Sequence, residues 1–165
     1  MNTRINKKLW IVAIGLLALP MVVMATPGAG YLFNFFYRFT SVTDRIHQHA
    51  HNADKRWHAE LEVEGDTDFV QQDVMLAPGG YSGWHSHPGP VIIGVKSGTV
   101  TWYNADDPSC TPHIYPAGSS FIEPTNAQHY LANQGSDNME LLTTYIIPQG
   151  LATRQEAPQP PQCPF

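Results

Sequence analysis

Short apolar and alternating runs, separated by turn residues, follow one another along the chain from residue 58 to residue 148. Turn signals such as Pro78-Gly79-Gly80 stand between these runs, and no stretch among them has a helical period. The pattern predicts about seven or eight short strands forming one all-β sandwich or barrel. The apolar runs cover residues 61–64, 69–77, 91–96, 99–103, 120–122, 129–132 and 139–147.

The segment before this region, residues 26–57, lacks a clear period and is predicted to be a partly helical N-terminal extension. Its aromatic run cannot be assigned to an element, and the polar stretch from about residue 40 onward is predicted to contain a short helix. His47, His49 and His51 alternate there, so they would share a face only in an extended segment. A solvated histidine-rich loop and a metal-capturing segment are the two interpretations.

Composition agrees with a β-rich fold and argues against one class of partner. Of the 165 residues, 14% are charged, 14 are Pro and 13 are Gly, so turns are numerous and long solvent-facing helices are disfavoured. Nine Lys and Arg stand against 14 Asp and Glu, for a net charge of -5. Nucleic-acid binding needs clustered positive charge, which occurs only at the N-terminus, so we expect no nucleic-acid partner.

The first 25 residues have the three parts of a secretory signal peptide. Arg4, Lys7 and Lys8 precede an apolar run that ends in small residues before Thr26, which predicts cleavage after Ala25. The mature chain would keep 6 Lys and Arg against 14 Asp and Glu, a net charge of -8. We therefore expect an acidic periplasmic or extracellular protein that does not stay at the membrane. An uncleaved anchor is the alternative, because the apolar run is only slightly shorter than a typical span of about 20 residues.

The two cysteines, Cys110 and Cys163, have one possible intramolecular pairing in an oxidising compartment. Cys163 lies in a Pro-rich tail, residues 149–165, so a disulfide would pin an otherwise structureless tail to the domain. Closing a loop of about 50 residues would contribute about 3 to 4 kcal/mol through loop-closure entropy. Two free thiols acting as soft metal ligands are the alternative.

Three of the eight histidines stand where their side chains could meet. His85 and His87 are two residues apart, so in an extended segment both imidazoles project from one face and could hold one ion. His129 comes from a strand further along the chain. His58 and His113 have no comparable context and are interpreted as surface or hydrogen-bonded residues.

These residues fall in two motifs that resemble those of the cupin superfamily, in particular its small single-domain members. The first family motif, G-x5-H-x-H-x3/4-E-x6-G, is matched at Gly79, His85, His87 and Gly98; the second, G-x5-P-x-G-x2-H-x3-N, is matched at Gly118, Pro124, His129 and Asn133. The resemblance implies a jelly-roll barrel over residues 58–148 with a metal site in its open mouth.

The resemblance implies a metal site formed by His85, His87 and His129. The place of the family's glutamate is occupied by Val91, or by Ile92 at the longer spacing, and neither can ligate a metal. The implied site is thus a three-histidine site for one divalent transition metal ion: Fe, Zn, Mn, Ni or Cu. A fourth ligand could come from Glu123, Gln71 or Gln72, although spacing alone does not place any of them in the barrel.

Three aromatic residues are candidates for substrate contact, with ordinary barrel core as the alternative: Tyr81, Trp84 and Tyr145. The resulting hypothesis is an exported metalloenzyme of dioxygenase type that acts on a small organic molecule. A non-catalytic module that binds a small ligand or a metal is the rival, favoured by the missing carboxylate ligand. No catalytic acid or base can be named, and a homodimer is possible by resemblance only.

Overall fold

The computed structural model describes residues 25–40 and 45–165, and within these ranges the chain forms twelve strands and no helix. The predicted signal peptide lies outside the described residues, apart from Ala25. The strands, in chain order, are β1 (Ala29–Thr40), β2 (Arg45–His51), β3 (His58–Glu64), β4 (Thr67–Tyr81), β5 (His85–Ser86), β6 (Val91–Ser97), β7 (Thr99–Asn104), β8 (His113–Pro116), β9 (Ser120–Glu123), β10 (His129–Ala132), β11 (Met139–Pro148) and β12 (Gln155–Glu156).

Ten of these strands form one antiparallel sheet that curves into a barrel. Its main path runs β12-β5-β10-β4-β11-β6-β9, with β1 on β4, β7 on β10 and β8 on β7. The long strand β4 pairs with β11 from Leu76↔Met139 to Thr67↔Pro148 and with β1 along its other side. The prediction of an all-β jelly-roll barrel is confirmed.

Alternate residues of the barrel strands fill its interior, as a strand period of two requires. In β6, Val91, Ile93 and Val95 are buried, whereas Ile92 between them is 44% exposed. The other members of this core come mainly from β4, β7 and β11: Val70, Val74, Leu76, Val100, Trp102, Leu131, Met139, Leu141, Tyr145 and Ile147.

The C-terminal tail is held against the domain by the predicted disulfide and by strand pairing. Cys110 and Cys163 form the predicted disulfide, so the alternative of two metal-binding thiols is wrong. The bridge closes a separation of 53 residues. Besides this covalent link, β12 pairs with β5, and Phe165 packs against Trp84 and the aromatic residues beside it. The tail therefore forms a strap along the mouth of the barrel.

The N-terminal extension is also β structure where it is described, and the predicted helix is wrong. The aromatic run lies in β1, which pairs with β4 as part of the barrel sheet. From Arg45 onward the chain forms β2, which pairs with β3 as a separate two-stranded hairpin. The alternation of histidines with Ile46, Gln48 and Ala50 was a strand signal, because a helix would scatter those side chains around its axis.

Asp68 links β1, β4 and the start of the tail. Its buried carboxylate pairs with Arg38, accepts a hydrogen bond from Thr40 Oγ1 at 2.8 Å and another from the Gly150 amide at 2.9 Å. The Gly150 amide, followed by Thr40 and Arg38, outweighs desolvation and lowers the pKa of Asp68 below its ordinary value. Because the folded-state pKa is depressed, the stabilisation is complete above the unfolded pKa, about 3.9, and is lost as pH falls through the folded value.

We expect Asp68→Asn to lower the melting temperature by several degrees at pH 7, because an amide cannot accept all three of these hydrogen bonds. The difference from the wild type should begin to narrow below about pH 4, where the Asp68 carboxyl of the unfolded chain becomes neutral, and should shrink further as pH falls through the lower pKa of the folded state. Thermal melts over this pH range test the effect, with the exposed Asp137→Asn as a control. An equal loss of stability at pH 7 and at low pH would contradict the account.

Candidate metal centre

The three histidines of the two sequence motifs meet inside the barrel. His85 begins β5 and His129 begins β10, and the antiparallel pairing of these strands places the two residues opposite each other. His87 follows β5, and its ring centroid lies 4.8 Å from that of His85 and 5.0 Å from that of His129. All three side chains are buried, and one nitrogen of each lies within 4.8 Å of the others.

Backbone carbonyl groups orient all three imidazole rings. Each ring contacts a carbonyl oxygen through Nδ1; the partners are Gly83 for His85 at 2.9 Å, Thr153 for His87, and Ala127 for His129 at 2.9 Å. A carbonyl only accepts hydrogen bonds, so Nδ1 carries the proton and donates it. The neutral ring then presents an unprotonated Nε2, which is the arrangement found in metal-binding histidines.

Glu123 at the end of β9 adds a buried carboxylate to this group. Its Oε2 lies 3.2 Å from His87 Nε2 and its Oε1 lies 3.2 Å from His129 Nε2. Trp102 Nε1 donates a hydrogen bond of 3.1 Å to Oε1 and fixes the carboxylate in place. Of the three candidate fourth ligands, the structure thus brings Glu123 to the histidines.

The position of Glu123 explains how the site has a carboxylate although the family's glutamate place is apolar. In the pairing of β6 with β9, Glu123 stands directly opposite Val91, the residue at that place. The carboxylate therefore reaches the same level of the barrel from the neighbouring strand. The sequence signal was a lone acidic residue directly before Pro124, the proline of the second motif.

The donor atoms of this site fit a cation. His129 Nε2 is buried without a hydrogen-bond partner, although Glu123 Oε1 is close to it, because neither atom has a proton to share. Unpaired buried acceptors are costly. A cation between the nitrogens and the carboxylate would satisfy all of these lone pairs, and three imidazoles with one carboxylate are suitable ligands for a divalent transition metal.

The charge states agree with a ligand role. Burial, reinforced by the neighbouring His129, lowers the pKa of His85 well below its ordinary value, so this ring is neutral near pH 7. Burial alone would raise the pKa of Glu123, but a positive charge shared with His129 and His87 outweighs burial and holds the pKa well below its usual range. A bound cation would supply that charge without a proton on either Nε2. A neutral imidazole and an ionised carboxylate are the forms that bind metals.

A cavity of about 90 Å³ opens beside His85, His87 and Glu123. It is much smaller than the 300–1,000 Å³ of typical drug-sized pockets. Six apolar residues line it: Phe36, Val74, Leu76, Ile93, Leu131 and Leu141. Eight further residues with polar groups share the lining: Tyr31, Asn34, Gln72, Ser82, Thr143, Tyr145, Thr153 and Arg154.

The predicted substrate-contacting aromatic residues divide between two environments. Tyr145 lines the cavity, lies edge-on to His87 with ring centroids 5.2 Å apart, and donates a hydrogen bond to Gln72 Oε1. Burial raises the pKa of Tyr145, so its hydroxyl stays protonated. Tyr81 and Trp84 do not line the cavity, which corrects their expected role.

The aromatic cluster beneath the tail explains this correction. Trp84 directly precedes His85, so strand alternation turns its side chain to the opposite face of the sheet. There Trp84 packs against Tyr130, on which Tyr81 also stacks. Gln71 likewise points away from the cavity and donates to Thr144 Oγ1 at 3.3 Å.

Two site residues come from the tail, where sequence patterns gave no indication of them. Thr153 supplies the carbonyl that orients His87, and Arg154 contributes to the cavity lining while its guanidinium pairs with Glu156. Neither residue belongs to a motif. Their positions depend on β12 pairing with β5, a contact between residues far apart in the chain.

The sequence comparison agrees with this fold and site. The family model for the cupin domain matches residues 72–145, a range that contains all three histidines and Glu123. The barrel belongs to the cupin superfamily. No curated protein sequence matches the chain significantly.

Several solved cupin structures resemble the chain over about half its length. A Cupin 2 conserved barrel domain protein from Salinispora arenicola has 18% identity over 49% of this chain and 64% of its own, with a TM-score of 0.43. An RmlC-like cupin from Methanocaldococcus jannaschii has 22% identity over 47% and 68%, with a TM-score of 0.43. Lactobacillus farciminis oxalate decarboxylase has 21% identity over 53% and 26%, with a TM-score of 0.47. This chain thus spans about a quarter of the decarboxylase.

Across residues 25–40 and 45–165 the structure contains no helix long and apolar enough to cross a membrane.

Proposed function

We propose that this cupin is an exported metalloenzyme that binds one divalent transition metal ion and oxidises a small organic molecule. The observation that carries the proposal is the convergence of three buried imidazoles and a buried carboxylate beside one small cavity, which His85, His87 and Glu123 line. The missing carboxylate ligand had favoured a non-catalytic module. Glu123 places a buried carboxylate beside the histidines, and this favours an enzyme over a non-catalytic module.

His85, His87, His129 and Glu123 would hold the ion, and Trp102 would keep the carboxylate oriented through its indole N–H. Four protein ligands leave two positions of an octahedral ion for other molecules. Such an ion polarises a coordinated substrate and, as iron, supports oxygenase chemistry.

The rest of the cavity favours a small substrate with one polar end. Its six apolar residues lower the local dielectric constant, which would strengthen polar interactions inside. Tyr145 and Gln72 form a hydrogen-bonded pair next to His87, and Arg154, whose guanidinium pairs with Glu156, lines the cavity from the tail. These residues would orient a hydroxyl, carbonyl or carboxylate group, while the imidazoles hold their positions through the backbone carbonyls.

Export is proposed from the N-terminal signal pattern and is supported by the Cys110–Cys163 disulfide, because disulfides persist mainly in oxidising compartments. A homodimer remains a prediction without a structural argument.

We expect the untagged wild type to bind about one tight equivalent of a divalent transition metal. His129→Ala should abolish that tight binding, and Glu123→Gln should weaken it at least about tenfold, since even outer partners of metal ligands are worth 10–100-fold. Reconstitution with each of the five metals, followed by elemental analysis and competition with a chelator, measures both effects. The exposed His113→Ala serves as the matched control.

Two results would contradict the site. Tight metal binding that survives His129→Ala would place the ion elsewhere in the chain. Wild-type affinity in a folded Glu123→Gln variant would show that the carboxylate is not a ligand.

We expect oxygen consumption by the metal-loaded protein with at least one member of a panel of catechols, diketones, flavonols and thiols. Tyr145→Phe should reduce kcat/KM for that compound by about 2–10-fold, the equivalent of one net hydrogen bond. An oxygen electrode with product analysis measures both. Metal binding without oxygen uptake or product formation across the panel would favour the non-catalytic module.

N-terminal sequencing of the protein after expression in a secreting host tests export. We expect the mature chain to start at Thr26, since the small-residue site ends at Ala25. Protein that starts at Met1 and stays with the membrane fraction would support the anchor.

A further inference from the structure

A second group of histidines occupies one face of the β2–β3 hairpin. The antiparallel register pairs His47 with Glu62, His49 with Glu60, and His51 with His58. Since alternate residues of a strand share a face, these six side chains lie together on one face of the hairpin. We call them the histidine face. None of them takes part in the barrel site.

Leu61 and Val63 of β3 lie on the opposite face of the hairpin. Leu61 and Val63 of β3 line a cleft of about 320 Å³ together with Pro88, Pro90 and Ile146 of the barrel. Of the six residues of the histidine face, Glu62 alone also borders this cleft. All six residues of the histidine face are solvent-exposed.

We call the end of the histidine face next to the hairpin turn its outer end. There His49, His51 and His58 are spaced almost as closely as the ligands of a metal site. His51 and His58 stand directly opposite each other, a relation that brings Cβ atoms to within about 4.5–5.5 Å. The ring centroids of His49 and His51 are 6.1 Å apart, compared with 4.3–5.0 Å among the three rings inside the barrel. A change of side-chain rotamer, which exposed residues make freely, is enough to close a gap of this size.

One carboxylate of the histidine face is available to a cation. Arg45 forms ion pairs with Glu62 at 2.7 Å and with Glu64 at 3.3 Å. The two carboxylates at the end of the hairpin away from the turn therefore already have a partner. Glu60 stands opposite His49, next to His51 and His58, and its side chain contacts the His47 imidazole at 4.0 Å. Its carboxylate therefore remains open to a cation held by the outer histidines.

We propose that His49, His51 and His58, with Glu60 as a carboxylate ligand, form a second, solvent-exposed binding site for a divalent transition metal ion. Imidazole and carboxylate ligands suit Zn²⁺, Ni²⁺ and Cu²⁺ rather than Mg²⁺ or Ca²⁺. The site is more weakly binding than the barrel site, because its side chains lose rotamer freedom on binding. The proposal does not depend on the proposed enzymatic function.

Zn²⁺ titration of the untagged full-length chain by calorimetry tests the proposal, with His129→Ala as the background that removes tight binding in the barrel. We expect about one further equivalent to bind in this background. His51→Ala combined with His58→Ala should weaken that equivalent at least about tenfold. Gln48→Ala on the opposite face and His113→Ala outside the hairpin should leave it unchanged.

The single variants His51→Asn and His58→Asn keep polar side chains on the strands and guard against loss of the hairpin, which far-UV circular dichroism monitors. Each should weaken Zn²⁺ binding while the spectrum stays the same. Zn²⁺ affinity unchanged in the double variant, or reduced equally by His113→Ala, would overturn the proposal. If the barrel does not bind a metal ion, the wild type lacks the tightly bound equivalent but still binds Zn²⁺ at the histidine face. The two proposals can therefore fail independently.

Discussion

Glu123 lies buried against His87 and His129, and the geometry of the barrel mouth depends on this contact. The carboxylate oxygens and the imidazole nitrogens that face them all offer lone pairs, because the Nδ1 protons of the rings are committed to backbone carbonyls. Such a group is unfavourable in a dry interior unless a cation or a proton is shared among its members. A bound metal ion satisfies it most completely.

Several distant parts of the chain are needed to hold this group. β5 and β10 place His85 opposite His129, and β6 and β9 bring Glu123 level with them. The tail adds the carbonyl of Thr153, and it is fastened by strand pairing with β5 and by the disulfide at its end. The Pro-rich tail is thus a support for the site as well as a covering for the aromatic cluster around Trp84.

Local patterns predicted much of this arrangement. The period of two located the inward positions of the barrel strands, and the spacing of His85 and His87 placed both rings together. Asn126, at the place of the second motif's inner glycine, has a φ of 58°, a left-handed conformation that Asn tolerates better than most residues. The pairing of the two cysteines followed from there being only two of them.

The remaining features depend on long-range pairing, which the sequence does not show directly. The register of β9 with β6 places Glu123 beside the histidines, and the path of the tail brings Arg154 to the cavity. Trp84 was misplaced because its neighbour His85 points into the barrel, so alternation sends the indole to the other face. The segment that forms β2 was predicted to be a loop or a helix, because the strand that pairs with it, β3, begins only at His58, after the turn.

The most direct test of the metal centre is an anomalous diffraction map from a crystal of the Zn²⁺-loaded protein. The account predicts a peak in the barrel about 2.0–2.2 Å from Nε2 of His85, His87 and His129 and from one carboxylate oxygen of Glu123. A barrel without such a peak, or an ion held by the imidazoles while Glu123 still bridges His87 and His129, would contradict it.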